Sequence, residues 1–391
     1  MFSSSEVVAI ENLTGGGKFL PLRRAVNTHR LLRGGDDDYL VRTIRGHSWD
    51  VWSVAFSPNG RFLVSGGDDA TVKLWNVKYG VCIKTFEGHE EPVNSVAFSP
   101  SGDQIASGSD DHTVKLWSMK TKKCTKTITN DGTEANDVRF SPDGRLLVVG
   151  YQNNSIKLWD IGSGACLKTL EGHSGPVKSV AFSPSGTQIA SGSEDHTVRL
   201  WDVKSEKFRN RLHDGIVSSV AFSPSGMLLA SGSYGNTVKL WELMKNSEPM
   251  KTLGDHNNHV ESVAFSPDGC QIVSGSRFYG SGYAGDRTLM LWDVETGARL
   301  QTLDGHIYGT NSVAYSPDGC QIASSSFDII KLWYTPEEFR KVRKKRRYEL
   351  LKDLSKEGSS RLKRLPDAML GEIAGMDTYM PRTKRREDNV L

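Results

Sequence analysis

Histidine, serine and aspartate recur at fixed spacing along this chain, and nucleophilic hydrolysis uses those three side chains. The sets are His47, Ser65 and Asp69; His89, Ser107 and Asp111; and His173, Ser191 and Asp195. Each is followed by a tryptophan, at Trp75, Trp117 and Trp201. One hydrolytic site would need one such set, and no enzyme needs one per repeat. Burying an imidazole, a hydroxyl and an indole N–H is tolerable only when each finds a partner, and the set holds complementary donors and acceptors. The sets are therefore read as structural, with no catalytic residue, no cofactor and no metal expected.

Other chemical signals are weaker still. Gly280-Ser-Gly282-Tyr-Ala-Gly285 fits a dinucleotide fingerprint but lies between strands and opens no helix, so the phosphate cradle is missing. Gly15-Gly16-Gly17-Lys18 lacks the earlier glycine and the following Ser or Thr of a phosphate loop. Asn12-Leu13-Thr14 is a glycosylation sequon with no visible route to secretion, because no signal segment opens the chain. Cys82, Cys124 and Cys166 stand 42 apart, which is repeat phase and not a metal or disulfide spacing.

The elements that hold these residues form a long repeat. Ser-Pro-(Asn/Ser/Asp)-Gly occurs seven times, at Ser57, Ser99, Ser141, Ser183, Ser223, Ser266 and Ser316, each time after an aromatic. A tryptophan follows that aromatic after 19 residues in the first five copies, 27 in the sixth and 18 in the seventh. Segments such as VKSVAFS alternate with period two, end in a Pro-x-Gly turn and lead into further short strands. Four antiparallel strands per repeat of about 42 residues is the pattern of a propeller blade, which must stack on neighbours to bury both faces. The fold class is all-β: a seven-bladed β-propeller of four-stranded antiparallel blades, with a C-terminal helical basic tail.

Gly46-His47, Gly88-His89, Gly172-His173 and Gly305-His306, with Trp159-Asp160, Trp201-Asp202 and Trp292-Asp293, resemble the marks of the WD-repeat (WD40) family. The near-identity of the copies also resembles fungal self-recognition WD-repeat proteins, without their nucleotide-binding domain. The resemblance covers about residues 39 to 334. It implies that His, Ser, Asp and Trp form a hydrogen-bond chain tying the inner strands. It also implies that residues 39 to 45 complete the blade begun by residues 306 to 334. The third copy has Asp131, Val149 and Asn153, and the fifth has Gly235, at positions of that chain, so these two blades are expected to be the least rigid.

A ring of loops around a channel suits protein or peptide partners. The resemblance puts partner docking on the face made by the starts of the first strands and the second hairpin turns. The starts are Trp52, Asn94, Asn136, Lys178, Ser218, Glu261 and Asn311. The residues before the turn aspartate read Asp68, Asp110, Gln152, Glu194, Tyr234, Gly285 and Phe327. Trp49 and Trp52 stand outside the repeat tryptophans, as interface anchors or as packing over the first blade. The insertion spanning residues 277 to 287 adds Phe278, Tyr279 and Tyr283 amid Gly and Ser, the chemistry of adaptable binding loops.

After Tyr334 the composition shifts. Thr335-Pro336-Glu337-Glu338 reads as a helix start with Thr335 as N-cap, running to Glu357. The helix carries Arg343, Lys344, Lys345, Arg346 and Arg347, suited to nucleic-acid phosphates or an import receptor. Leu365-Pro366-Asp367 through Ile373 resembles the opening of an F-box. The organisation is thus an extension (1–38), a propeller (39–334) and a basic tail (335–391). The tail holds 16 Lys and Arg against 10 Asp and Glu, so the overall charge of +3 hides a mildly acidic remainder.

No stretch approaches the roughly 20 apolar residues of a membrane span, and 37% apolar with 9% aromatic residues excludes a disordered chain. The expected role is a non-catalytic scaffold within a larger assembly, in the cytoplasm or nucleus. A substrate receptor for ubiquitin ligation and an RNA- or chromatin-associated propeller remain the alternatives.

Overall fold

The computed structural model describes residues 39–129, 132–244, 248–277 and 287–342. Within the compact unit Asp36–Glu338, 28 strands form seven four-stranded antiparallel sheets. In the first blade the strands are Val51–Phe56, Phe62–Gly67, Val72–Asn76 and Val81–Phe86. Six blades follow chain order in this way.

The seventh does not. Its sheet runs Leu40–Arg45, Ile329–Tyr334, Gln321–Ser325, Ser312–Tyr315, so the amino-terminal strand supplies the outer edge of the last blade. The pairing sets Ile44 against Ile330 and Arg45 against Ile329. Every blade thereby has four strands, and only the short outer edges of a propeller remain.

The period-two pattern explains the core. Alternate side chains of each sheet point to its two faces, and the apolar ones meet those of the next blade. Val64, Val72, Leu74 and Phe86 of the first blade pack with Val93, Val96, Ile105 and Trp117 of the second. Ile44, Ile330 and Leu332 of the seventh blade pack with Val51, Val54 and Trp75 of the first. The hydrophobic core therefore consists of the seams between blades.

Turn chemistry fixes the strand lengths. At Gly186 φ is +71°, the left-handed region that glycine enters at no steric cost, and its N–H donates to Ser183 O at 2.8 Å. Gly192 meets a different need, because a Cβ there would sit 2.5 Å from Val217 Cγ1 of the next blade. Gly192→Ala is expected to cost about 1–3 kcal/mol through overpacking, read as a lower urea midpoint with unchanged slope. An unshifted midpoint would show that the seam yields.

The helix at 336–342 follows the propeller, and the rest of its expected span lies outside the described residues. Thr335 stands immediately before it, at the N-cap position. Its hydroxyl donates to Cys320 O (3.3 Å), continuing the backbone bond from Thr335 N to the same carbonyl (3.0 Å). No helix among the described residues is long and apolar enough to cross a membrane.

Candidate interaction site

Three of the repeated sets close as hydrogen-bond chains. Ser191 lies 2.7 Å from His173 Nε2 and accepts from Trp201 Nε1 at 2.8 Å, while His173 Nδ1 lies 2.7 Å from Asp195. The sets of His47 and His89 repeat this geometry. Burial alone would raise the Asp195 carboxyl. The His173 hydrogen bond, with Thr197 and the Ser174 amide, holds it instead far below the usual carboxylate range. The ionised carboxylate fixes the proton on Nδ1, leaving Nε2 to accept from the serine. That is the bond order of a hydrolytic triad, but Ser65, Ser107 and Ser191 are 0% exposed and each already receives an indole N–H. No substrate carbonyl can reach them.

The other blades modify the chain. In the third, Tyr151 replaces it by accepting the Trp159 indole N–H at 3.0 Å. In the fifth, Gly235 offers no carboxylate, so His213 Nδ1 accepts from the Asp214 amide (3.0 Å) and Asp214 pairs with Lys239 (2.9 Å). In the seventh, serine and tryptophan are nine residues apart instead of ten, and the shortened turn sends Asp328 to Arg45 (3.0 Å). His306 keeps Ser324 at 2.6 Å, while its Nδ1 has no hydrogen-bond partner among the described residues.

Burial pushes His306 down to about 3 and His213 down to about 4, with nearby Lys331 and Lys239 adding to it. Both rings are neutral when folded and take up a proton near pH 6.5 when unfolded. Stability is therefore complete above pH 6.5 and falls as the pH drops toward 4, by up to about 1.4 kcal/mol per unit for each ring. The loss from Asp69, Asp111 and Asp195 begins only below about pH 5. Urea unfolding between pH 7.5 and 4.5 checks this, and His306→Gln should flatten the slope. An equal slope in that variant would refute the assignment.

Around the ring axis a cavity of about 400 Å³ is lined by every blade. Trp52, Asn94, Asn136, Lys178, Ser218, Glu261 and Asn311 all face it, as does Tyr234. Six of these residues stand where the strand register shifts by one, as between Val51 and Ser53 or Val93 and Ser95. Such a bulge lifts one residue out of the ladder and turns its side chain toward the channel.

A lifted residue commonly reaches the residue 16 positions on, at the second turn. Trp52 Nε1 donates to Asp68, Asn94 to Asp110 (2.5 Å), Asn136 to Gln152 (3.1 Å), and Lys178 pairs with Glu194 (3.5 Å). In the sixth blade that position is Arg277, opposite His259 at the strand end, and not Gly285. The insertion enters after it, which sequence spacing alone misplaced. Asn94, Asn136 and Asn311 also donate to backbone carbonyls of the following blade, at 3.3, 3.0 and 3.1 Å.

One residue further along lies a ring that the repeat pattern did not flag as functional. Ser53, Ser95, Asp137, Ser179, Ser219, Ser262 and Ser312 each accept a backbone N–H from the next blade, at 2.9 to 3.3 Å. Their near-constancy, always three residues before the aromatic, was the available signal. The one carboxylate, Asp137, pairs with Arg139 (3.2 Å), which stands where the other copies have alanine.

Trp49 and Phe327 lie elsewhere on this face. Trp49 is 58% exposed and meets Phe327 edge-on at 6.4 Å, and Tyr308, 59% exposed, meets Phe327 at 5.2 Å. Tyr308 and its exposed neighbour Ile307 were not singled out from sequence. Phe278, Tyr279, Tyr283, the cluster Arg343, Lys344, Lys345, Arg346 and Arg347, and the F-box-like segment lie outside the described residues. Among the described residues no His, Cys, Asp and Glu cluster is placed to hold a metal, and no disulfide joins the cysteines.

The family profile described as WD domain, G-beta repeat matches residues 38–76, 80–118, 122–160, 164–202, 207–242, 247–293 and 297–333. Three individual proteins match over about one repeat each. A 42-residue segment is 52% identical to Eukaryotic translation initiation factor 3 subunit I of Aspergillus niger, covering 11% of this chain and 12% of that one. Nuclear distribution protein PAC1 of Arthroderma otae is 54% identical over 39 residues, 10% of this chain and 8% of that one. Ribosome biogenesis protein bop1 of Danio rerio is 52% identical over 40 residues, 10% and 5%. The chain thus spans no more than 12% of these relatives' lengths.

Proposed function

This chain belongs to the WD-repeat family, and on that premise we propose that it is a scaffold holding a protein partner within a larger assembly. The observation that carries the reading is the pair of exposed aromatics Trp49 and Tyr308, which flank the half-buried Phe327 and bridge the first and seventh blades. Clustered, solvent-facing aromatics on a rigid frame make interface anchors, because burying them gains area with little loss of side-chain freedom. One relative is by name a subunit of a translation initiation factor, which agrees with an assembly role. The basic run Arg343 to Arg347 supports a second contact, with nucleic-acid phosphates or an import receptor, and so a nuclear location.

Affinity capture with the full chain tests the scaffold reading. The double variant Trp49→Ala, Tyr308→Ala should lose partners held by the parent chain, with at least a tenfold drop in affinity for each, and should unfold at the same midpoint. Equal retention of the same proteins by both would overturn it. Capture repeated with the chain ended at Tyr334 reads the tail's share.

A further inference from the structure

We propose that the channel mouth beside the second and third blades receives a cationic side chain, arginine or lysine, from a partner polypeptide. The proposal rests on the scaffold reading and adds the chemistry of what is held. Its first support is a guanidinium already seated at the adjacent part of the mouth. Arg277 lies over the Trp52 ring at 4.7 Å, with Asn311 Oδ1 at 2.5 Å and Asp50 at 3.3 Å. An aromatic face, an amide oxygen and a carboxylate make a complete guanidinium cradle. The chain thus shows with its own residue what this surface accepts.

The second support is charge left over in the next arc. Asp110 accepts from Asn94, and Glu134 makes no side-chain hydrogen bond among the described residues. Neither has a described lysine or arginine at ion-pair distance, although both line the cavity. The cavity's own cations are engaged elsewhere: Lys178 with Glu194 (3.5 Å) and Arg139 with Asp137 (3.2 Å). Between the two arcs, burial holds the Asp68 carboxyl above the usual range; the Trp52 hydrogen bond and Arg277 oppose this, while the charges of Asp50 and Asp110 add to it. An incoming cation would relieve this crowding of like charge.

The cavity's about 400 Å³ admits a long side chain with water around it. A bare metal ion is a poorer fit, because no described cluster offers three ligands. Asn94, Gln152 and Asn136 supply further polar groups along the same arc.

The test uses the full chain and a labelled nonapeptide, Gly-Ser-Ala-Arg-Ala-Arg-Ala-Ser-Gly, against its twin with citrulline for arginine. Citrulline keeps the shape and removes the charge. The arginine probe should bind at least tenfold more tightly. The double variant Asp110→Asn, Glu134→Gln should weaken it about tenfold and leave the citrulline probe unchanged. Glu134→Gln alone, which breaks no described hydrogen bond, should give part of that loss without touching stability.

Equal binding of the two probes would overturn the proposal. So would an equal loss in Glu90→Gln, Glu91→Gln, exposed carboxylates of the loop before the second blade, since the attraction would then be diffuse. If neither probe binds while the Trp49 and Tyr308 variant still loses its partners, this inference falls and the scaffold reading stands. If the probes behave as expected while capture ignores Trp49 and Tyr308, the aromatic surface falls and the cation site stands.

Discussion

Deleting residues 39–45 is expected to abolish the single sharp unfolding transition of the ring. The strand Leu40–Arg45 contributes five paired positions to the seventh blade, and each backbone bond is worth roughly 0.5–1.5 kcal/mol net. It also buries Ile44 to 2% exposure between Ile330 and the first blade, a gain of roughly 1.5–3 kcal/mol. Together these losses approach the total of about 5–15 kcal/mol that holds an ordinary domain folded. The exposed Arg45–Asp328 pair adds little to that sum. Urea unfolding followed by tryptophan fluorescence should show a broad, early transition, with association through the uncovered edge of Ile329–Tyr334. Ile44→Asp keeps the strand but should still lower stability by roughly 3–5 kcal/mol. A deletion variant unfolding sharply at the parent midpoint would show that closure does not govern stability.

Ser191→Ala should cost roughly 2–4 kcal/mol, and Ser231→Ala roughly half as much. The Ser191 hydroxyl serves two buried groups, the Trp201 indole and the His173 ring, and its removal strands both. Ser231 serves only the Trp241 indole among the described residues, because the His213 ring faces the Asp214 amide. The two variants delete the same atom from the same strand position, so hydrophobic and propensity effects cancel in the comparison. Midpoints from urea unfolding give the difference directly. Equal losses would mean that the histidine contributes nothing through the serine.

The blade count and the closing strand were readable because they are written in local pattern. A period-two segment, a Pro-x-Gly turn and a phased tryptophan are properties of adjacent residues. The stitching between blades was not readable in the same way. Val180 N–H finds Asp137 across a seam, 43 positions away, and nothing local to either residue announces the partner. The seven phased positions share one cavity because a bulge turns most of them inward, and bulges leave no composition signature. Arg277 shows the cost of counting alone. Phase counted back from the tryptophan crossed the insertion and landed on Gly285, whereas strand pairing, counted forward, ends at Arg277. Asp328 has the spacing of its counterparts from His306, yet one missing turn residue redirects it to Arg45.

The closing strand has a consequence in time. Arg45 and Asp328 touch across 283 positions, so the strand made first during synthesis finds its partner last. Until residue 334 leaves the ribosome, the first strand waits unpaired while six similar sheets form beside it. The waiting is hazardous, because Gln104–Ser109 and Gln188–Ser193 share one sequence, QIASGS, and such copies compete as pairing partners. Two chains emerging side by side could also exchange their first strands, each completing the other's last blade. Assembly of this ring is therefore a race between closure within one chain and exchange between two, and dilution favours the former.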